Sequence, residues 1–248
     1  MYNYCHMFTN KIILITGGSS GIGAATALAF AAKGADVVIT YKSNKAGAGK
    51  VVAEVEKLGR KCLAIKVDLI NDKKAKKVID LAVKKFGKID VLVNNAGRYI
   101  DGDEWNGKTK VWIKSLEQNL LSMMNVSRYA VELFQKQQKG IMINIASRHG
   151  MSGCSDALSY SAAKAGVINI TQIYAKILSE FGGRANSVSP WAANAGYWLT
   201  APKEEVEMTV KEAPGGHLVE PETIAEKIIY LASDEAKDIN GQNFPVKE

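Results

Sequence analysis

The chain has 248 residues, 47% of them hydrophobic, with a net charge of +7 from 32 basic and 25 acidic side chains. That length suits one α/β domain over residues 1–248, and that apolar share is enough for a core on both faces of a sheet. No stretch of 18 apolar residues occurs, which excludes a membrane-spanning helix. Met1–Asn10 has no basic n-region and is too short for a signal peptide. Cys5, Cys62 and Cys154 are scattered and odd in number, and with only three histidines there is no metal-binding spacing. A reduced, cytoplasmic setting without a disulfide framework or a metal is expected.

The first element is the apolar run Lys11–Thr16, followed by Gly17-Gly-Ser19-Ser20-Gly21-Ile22-Gly23 and then by good helix formers from Ala24 to Lys33. This reads as strand, glycine turn and helix. Gly17 permits the tight turn, Gly21 lets the backbone approach a pyrophosphate, and Gly23 lets the helix pack closely on the strand. The free N–H groups of the helix start would face the phosphates, which makes Ser19, Ser20 and Ile22 candidate contacts as well. A glycine-rich turn with no ligand is the bland alternative.

A second strand, Ala35–Thr40, ends in Tyr41, Lys42 and Ser43 with no carboxylate. An acid there would bind a ribose 2′-hydroxyl and repel a 2′-phosphate. Lys42 and Ser43 would instead contact a 2′-phosphate by charge and hydroxyl. The expectation is NADP(H) in preference to NAD(H); the alternative is that Lys42 is a solvated surface lysine. From Lys42 to Lys88 there are 14 basic residues against 5 acidic. The run lacks interleaved aromatics, so solvated helix faces on one side of the sheet are expected rather than nucleic-acid binding.

Apolar runs at Ile12–Ile15, Val37–Ile39, Cys62–Val67, Val91–Val93, Ile141–Ile145 and around Val188 alternate with helical segments at Lys45–Leu58, Asp72–Phe86, Val111–Gln138 and Ser159–Phe181. Alternating strands and helices imply a doubly wound parallel sheet with helices on both faces. All five prolines lie from Pro190 onward, which points to an irregular C-terminal region, with residues 192–216 an insert over the site.

Tyr160 and Lys164 stand four residues apart, and Ser147 precedes the tyrosine by 13 positions. On a helix, residues i and i+4 share a face, so phenol and ammonium enter one cleft. A nearby cation would lower the phenol pKa from its usual value of about 10, and the pair could pass a proton to or from a carbonyl oxygen. The alternative is a tyrosine ring packed under a lysine stem. Arg98–Asp101, Arg148–Met151 and Trp191–Met208 are candidate pocket segments, with Tyr197, Trp198 and Leu199 an apolar lid or a subunit contact.

Taken in order, these motifs resemble the short-chain dehydrogenase/reductase family from Lys11 to about Val246. Thr16–Gly23 matches its cofactor turn. The resemblance implies that Asp68 and Leu69 contact adenine and that Asn95, Ala96 and Gly97 lie beside the cofactor. It also implies a tetrad of Asn119, Ser147, Tyr160 and Lys164. In that tetrad Tyr160 donates the proton. Lys164 lowers its pKa and hydrogen-bonds the nicotinamide ribose. Ser147 holds the substrate oxygen, and Asn119 kinks its helix and anchors a relay water. Pro190 matches a cofactor-contacting proline, but Trp191 replaces the glycine that usually follows it. Tryptophan cannot take positive φ cheaply, so the loop is expected to follow another path.

The implied protein has a Rossmann-type fold and is an NADP(H)-dependent oxidoreductase. It interconverts a carbonyl and a secondary alcohol, 3-oxoacyl reduction included. Sugar or polyol oxidation, or cofactor sensing without turnover, are the alternatives. Family members pair the helices carrying Asn119 and Tyr160, which implies a homo-oligomer, dimer or tetramer, through outward residues such as Leu120, Leu121, Met124, Ala130, Ile168, Ile170, Ile173 and Ile177.

Overall fold

The computed structural model describes residues 6–247, so Cys5, Glu248 and the first half of Met1–Asn10 lie outside the described residues. Seven parallel strands form one sheet in the order β3-β2-β1-β4-β5-β6-β7. They are β1 (Ile12–Ile15), β2 (Asp36–Tyr41), β3 (Cys62–Lys66), β4 (Val91–Asn94), β5 (Ile141–Ile145), β6 (Arg184–Pro190) and β7 (Asn243–Val246).

The apolar runs are continuous rather than alternating because both faces of the sheet are covered. Along each strand successive side chains point to opposite faces. Ile13, Ile15, Val37 and Ile39 meet helices α1 (Gly21–Ala32), α2 (Lys45–Lys57) and α9 (Pro221–Ala232). Ile12, Leu14, Val38 and Leu92 meet α3 (Asp72–Phe86), α5 (Ser122–Gln137) and α7 (Leu158–Ser179). The doubly wound arrangement is therefore the one the sequence predicts.

Chain order reverses between β1 and β4, which are paired neighbours. Their outgoing segments turn to opposite faces and leave a crevice at the carboxyl ends, where such sheets bind ligands.

Four features differ from the sequence expectations. The helix expected over 111–138 begins at Thr109 as α4 (Thr109–Leu116) and passes through a π turn (Glu117–Leu121) before α5. The tail forms the edge strand β7, paired in register with β6 from Ser187↔Asn243 to Pro190↔Val246. Residues 192–216 contain a ten-residue helix, α8 (Lys203–Glu212), and a 3₁₀ turn (Gly196–Leu199), so the segment is less irregular than its prolines suggest. The basic run is also not on one side: α2 and α3 cover opposite faces of the sheet, which splits the charge into two solvated surfaces.

Of the residues expected to point outward, Leu121, Met124, Ile173 and Ile177 are exposed, whereas Ala130 is buried in the core between α5 and the sheet. Among the described residues no helix is long and apolar enough to cross a membrane.

Candidate active site

The glycine turn is built by two strand-end threonines and one asparagine. The Thr16 hydroxyl accepts from the backbone N–H of Asn95 (2.9 Å) and of Ala96 (3.0 Å). The Asn95 amide donates back to the carbonyls of Thr16 (2.8 Å) and Gly17 (3.2 Å). The Thr40 hydroxyl accepts from Gly17 N–H at 3.1 Å, and Asn44 donates to the Ser19 carbonyl at 3.2 Å.

Gly21 has φ +51°, a left-handed conformation that glycine adopts without penalty. A Cβ on Gly23 would lie 2.4 Å from the Gly17 carbonyl oxygen and 2.5 Å from the Asn95 amide nitrogen. Ser20 caps α1 without a side-chain hydrogen bond, so the first amides of α1 receive no cap from it. A glycine-lined backbone beside those amides fits a diphosphate. Ile22 is only partly buried against the core on the far side of the turn.

At the end of β2 the structure brings Lys42 and Asp68 together, which the sequence reading kept apart. Lys42 Nζ lies 2.7 Å from Asp68 Oδ2. The hydrogen bond and charge of Lys42 hold the Asp68 carboxyl below its ordinary pKa. Ser43 is exposed, Tyr41 is half-buried, and Leu69 is buried in the core. An adenine contact from this region would therefore come from the Asp68 side of the pair, not from Leu69.

The four residues of the expected tetrad sit on three pieces of chain: the π turn, the segment after β5, and α7. Asn119 lies in the π turn and is buried. Its side chain accepts from Arg98 N–H (2.9 Å) and donates to the carbonyls of Arg98 (2.9 Å) and Ser115 (3.0 Å). The kink is thus present, and it turns the amide toward the segment after β4. Ser147 follows β5, and its hydroxyl accepts from His149 N–H at 3.2 Å. Lys164 is buried; its ammonium donates to the Ile145 carbonyl at 2.7 Å and lies 5.7 Å from the centre of the Tyr160 ring.

The electrostatics differ from the expected ones. Burial holds the Tyr160 phenol above its ordinary value, and only the Ser147 hydrogen bond opposes that shift. Burial lowers the Lys164 ammonium to about 8. The cation faces the ring and the Ile145 carbonyl, so desolvation of the phenol outweighs it. His149 stands edge-on to Tyr160 at 6.3 Å, and burial, with Arg148 beside it, lowers its pKa to about 4, so it is neutral.

The Trp191 backbone N–H donates to the Val246 carbonyl at 2.8 Å, continuing the β6–β7 ladder, and its φ is not positive. Pro190 is buried, and its carbonyl accepts from Arg148 N–H at 3.1 Å. The Arg148 guanidinium lies 4.2 Å from the centre of the Trp191 ring, so the arginine is neither in a surface salt bridge nor turned to the pocket. Beyond it, Ala195 comes close to Gly21: a Cβ on Gly21 would lie 2.9 Å from that of Ala195. The Tyr197 ring meets Tyr99 at 5.2 Å, and Tyr99 meets Tyr160 at 6.4 Å.

A family model described as "Enoyl-(Acyl carrier protein) reductase" matches residues 17–248. The chain belongs to the short-chain dehydrogenase/reductase family. It is 36% identical over 232 residues to the 3-oxoacyl-[acyl-carrier-protein] reductase FabG of Thermotoga maritima, covering 94% of each chain. It is 37% identical over 241 residues to a 3-oxoacyl-[acyl-carrier-protein] reductase of Synechocystis, covering 96% of each. It is 34% identical over 239 residues to meso-2,3-butanediol dehydrogenase of Serratia marcescens, covering 96% of this chain and 94% of that one. Among solved structures, levodione reductase superposes with a TM-score of 0.91 at 26% identity, over 97% of both chains. This short-chain dehydrogenase/reductase is therefore an oxidoreductase.

Three functional features escaped the sequence reading: the two turn-building threonines, the Lys42–Asp68 pair, and the buried Asp103 beside the start of α7. Replacing Gly23 with alanine is expected to open the turn. Titration of intrinsic fluorescence with NADPH should then show at least a tenfold weaker dissociation constant, as about 1.4 kcal/mol of lost contact gives. Unchanged affinity would show that the turn does not hold the phosphates.

Proposed function

We propose that the protein reduces a carbonyl to a secondary alcohol with NADP(H), Tyr160 giving the proton. The observation that carries this reading is the buried Lys164 ammonium 5.7 Å from the centre of the Tyr160 ring, beside a phenol that burial holds above its ordinary pKa. A phenol protonated at neutral pH holds the proton that carbonyl reduction consumes. Bound between the glycine turn and Lys164, the cofactor supplies the hydride.

Ser147 holds the substrate oxygen against the phenol. Tyr160 releases its proton to that oxygen, and the Lys164 ammonium stabilises the phenolate left behind. Lys164 has two further N–H groups beyond the one on Ile145, and these suit ribose hydroxyls. Gly17, Ser19, Ser20, Gly21, Ile22 and Gly23 form the phosphate cradle; Asn95, Ala96, Gly97 and Pro190 line the nicotinamide end. Asn119 bridges the segment after β4 to the π turn.

The names of the relatives make 3-oxoacyl thioesters the first substrate class to try, and vicinal diols or hydroxyketones the second. Double-bond reduction is disfavoured by the four-residue Tyr160–Lys164 spacing, since enoyl reductases of this fold usually space that pair more widely. The sensor reading is disfavoured because the relatives are named as reductases and a dehydrogenase. Residues 192–216 act as a lid, with Tyr197 bonded to Glu205 at 2.6 Å, joining the 3₁₀ turn to α8. Exposed Leu121, Met124, Ile173 and Ile177 suit a homo-oligomer through α5 and α7.

For cofactor choice, Lys42 must release Asp68 to meet a 2′-phosphate. NADPH should give the higher kcat/KM, and Lys42→Ala should lower that for NADPH about tenfold or more while leaving NADH nearly unchanged. A preference for NADH that survives the substitution would remove the idea.

Tyr160→Phe keeps the ring and loses the proton. Turnover of ethyl acetoacetate with NADPH, followed by nicotinamide absorbance, should fall about 100-fold or more with cofactor affinity retained. Wild-type rates in the variant would overturn the mechanism.

The pH profile has a definite sign. The phenol stays protonated past pH 10, while Lys164 loses its charge as pH rises through about 8. Reductive kcat/KM should therefore be level at neutral pH and decline above about 8. A level profile to pH 10 would show that the ammonium charge is not needed.

A further inference from the structure

We propose that Asp103 is a positioning residue for Tyr160, acting through the first turn of α7; this rests on Tyr160 being the proton donor. Helix α7 begins at Leu158, and its N-cap residue, Ala157, has no side chain able to accept a hydrogen bond. The first amides of any helix lack partners within it. Here one distant residue takes three of them in succession. The Asp103 carbonyl accepts from Leu158 N–H at 2.8 Å. Its Oδ1 accepts from Ser159 N–H at 3.1 Å and from the Ser159 hydroxyl. Its Oδ2 accepts from the backbone N–H of Tyr160 at 2.8 Å.

The Asp103 side chain is 0% exposed, and among the described residues no cation pairs with it. Its charge is held instead by those donors and by the positive end of a 22-residue helix. A buried carboxylate in that position resists displacement, because any shift strands a charge.

The other end of the same segment is fixed as firmly. Asn119 clasps both backbone groups of Arg98, five residues before Asp103. A Cβ on the intervening Gly97 would lie 2.6 Å from Asn119 Oδ1, so the approach is close. The segment 98–103 is thus a strap from the π turn carrying Asn119 to the backbone of Tyr160. Between its ends, Tyr99 stacks edge-on to Tyr160 and donates its hydroxyl to the Asp156 carbonyl at 3.0 Å. Moving the Asp103 cap moves the tyrosine that must meet the substrate oxygen.

The test compares Asp103→Asn, Asp103→Glu, Ser159→Ala, Tyr160→Phe and the double variant Asp103→Asn/Tyr160→Phe, using NADPH and ethyl acetoacetate. Asp103→Asn keeps the size but turns an N–H donor toward one amide; Asp103→Glu keeps the charge but lengthens the arm. Expected is a kcat about tenfold or more lower in Asp103→Asn, as a small misplacement of a reacting group gives. KM and NADPH affinity should stay within about twofold, and no further loss should appear when Tyr160 is already phenylalanine. Should Asp103→Asn not fold, Asp103→Glu and Ser159→Ala carry the same expectation, with kcat falling at unchanged Tm. A kcat within about twofold of wild type in every folded variant overturns the proposal. So does an equal loss with and without the phenol. If Tyr160→Phe retains wild-type turnover, the proton-donor reading has failed instead; if that variant is inactive while Asp103→Asn is not, only the positioning role has.

Discussion

The site depends on how two parallel strands part company. β1 and β4 are hydrogen-bonded side by side, yet the chain leaving β1 turns to one face of the sheet and the chain leaving β4 to the other. Backbone groups at that fork lose their ladder partners, and a buried unpaired amide costs about as much as a lost hydrogen bond. Thr16 resolves this with a single hydroxyl that takes the N–H groups of Asn95 and Ala96. Asn95 returns two bonds to the carbonyls of Thr16 and Gly17. The crevice is therefore held open by bonds that cross it at its floor, and the glycine turn inherits its shape from them.

Above that floor, desolvation rather than charge pairing sets the chemistry. Lys164 and Tyr160 are adjacent and both buried enough to shift, each toward its neutral form. A cation beside a phenol ordinarily pulls the phenol pKa down. Here the ammonium donates to the Ile145 carbonyl and lies 5.7 Å from the ring centre, and desolvation of the phenol outweighs its pull. His149, neutral for the same reason, adds a wall but no charge. Arg148 is held against the Trp191 face, where a guanidinium is attracted to the ring. The pocket wall around the phenol is thus aromatic and uncharged on the sides that His149, Tyr99 and Tyr197 supply.

Much of the fold was legible because its signals are local. Runs such as Lys11–Thr16 and Val91–Val93 are too apolar to be anything but strands covered twice, and the glycine turn states its own conformation. The Tyr160–Lys164 pair was legible from its spacing, which puts both on one helix face, whereas the tetrad as a set came from the family resemblance. What was not legible depends on distance. Lys42 and Asp68 are brought together only by the β2–β3 pairing, so each was read separately as a cofactor contact. Asp103 was passed over because its partners lie more than fifty residues away. A clue existed: a helix beginning after Ala157 has no cap of its own, and a capless start next to a reactive tyrosine asks for one from elsewhere. At Trp191 the sequence says only that positive φ is disfavoured; the backbone has none there, and its anchoring to the edge strand through Val246 depends on a partner 55 residues away.

The two helices bearing the tetrad are also registered from below, by polar groups inside the core. Asn94 on β4 donates to Ser127 on α5 (2.8 Å) and to Asn144 on β5 (2.9 Å), and Asn144 donates to Thr171 on α7 (2.9 Å). All four side chains are buried. An apolar contact tolerates sliding, but a buried hydrogen bond does not, since a shift of one residue leaves donors without acceptors in a low-dielectric interior. This chain fixes α5 and α7 to β4, which frames the crevice, and to its neighbour β5. Thr171 lies eleven residues past Tyr160, roughly 16 Å along the helix axis. A lever of that length turns a small rotation at its root into a large displacement at its tip. Core polarity is therefore tolerated at the root of α7 because it fixes the direction in which the phenol points, while the capped first turn fixes the other end.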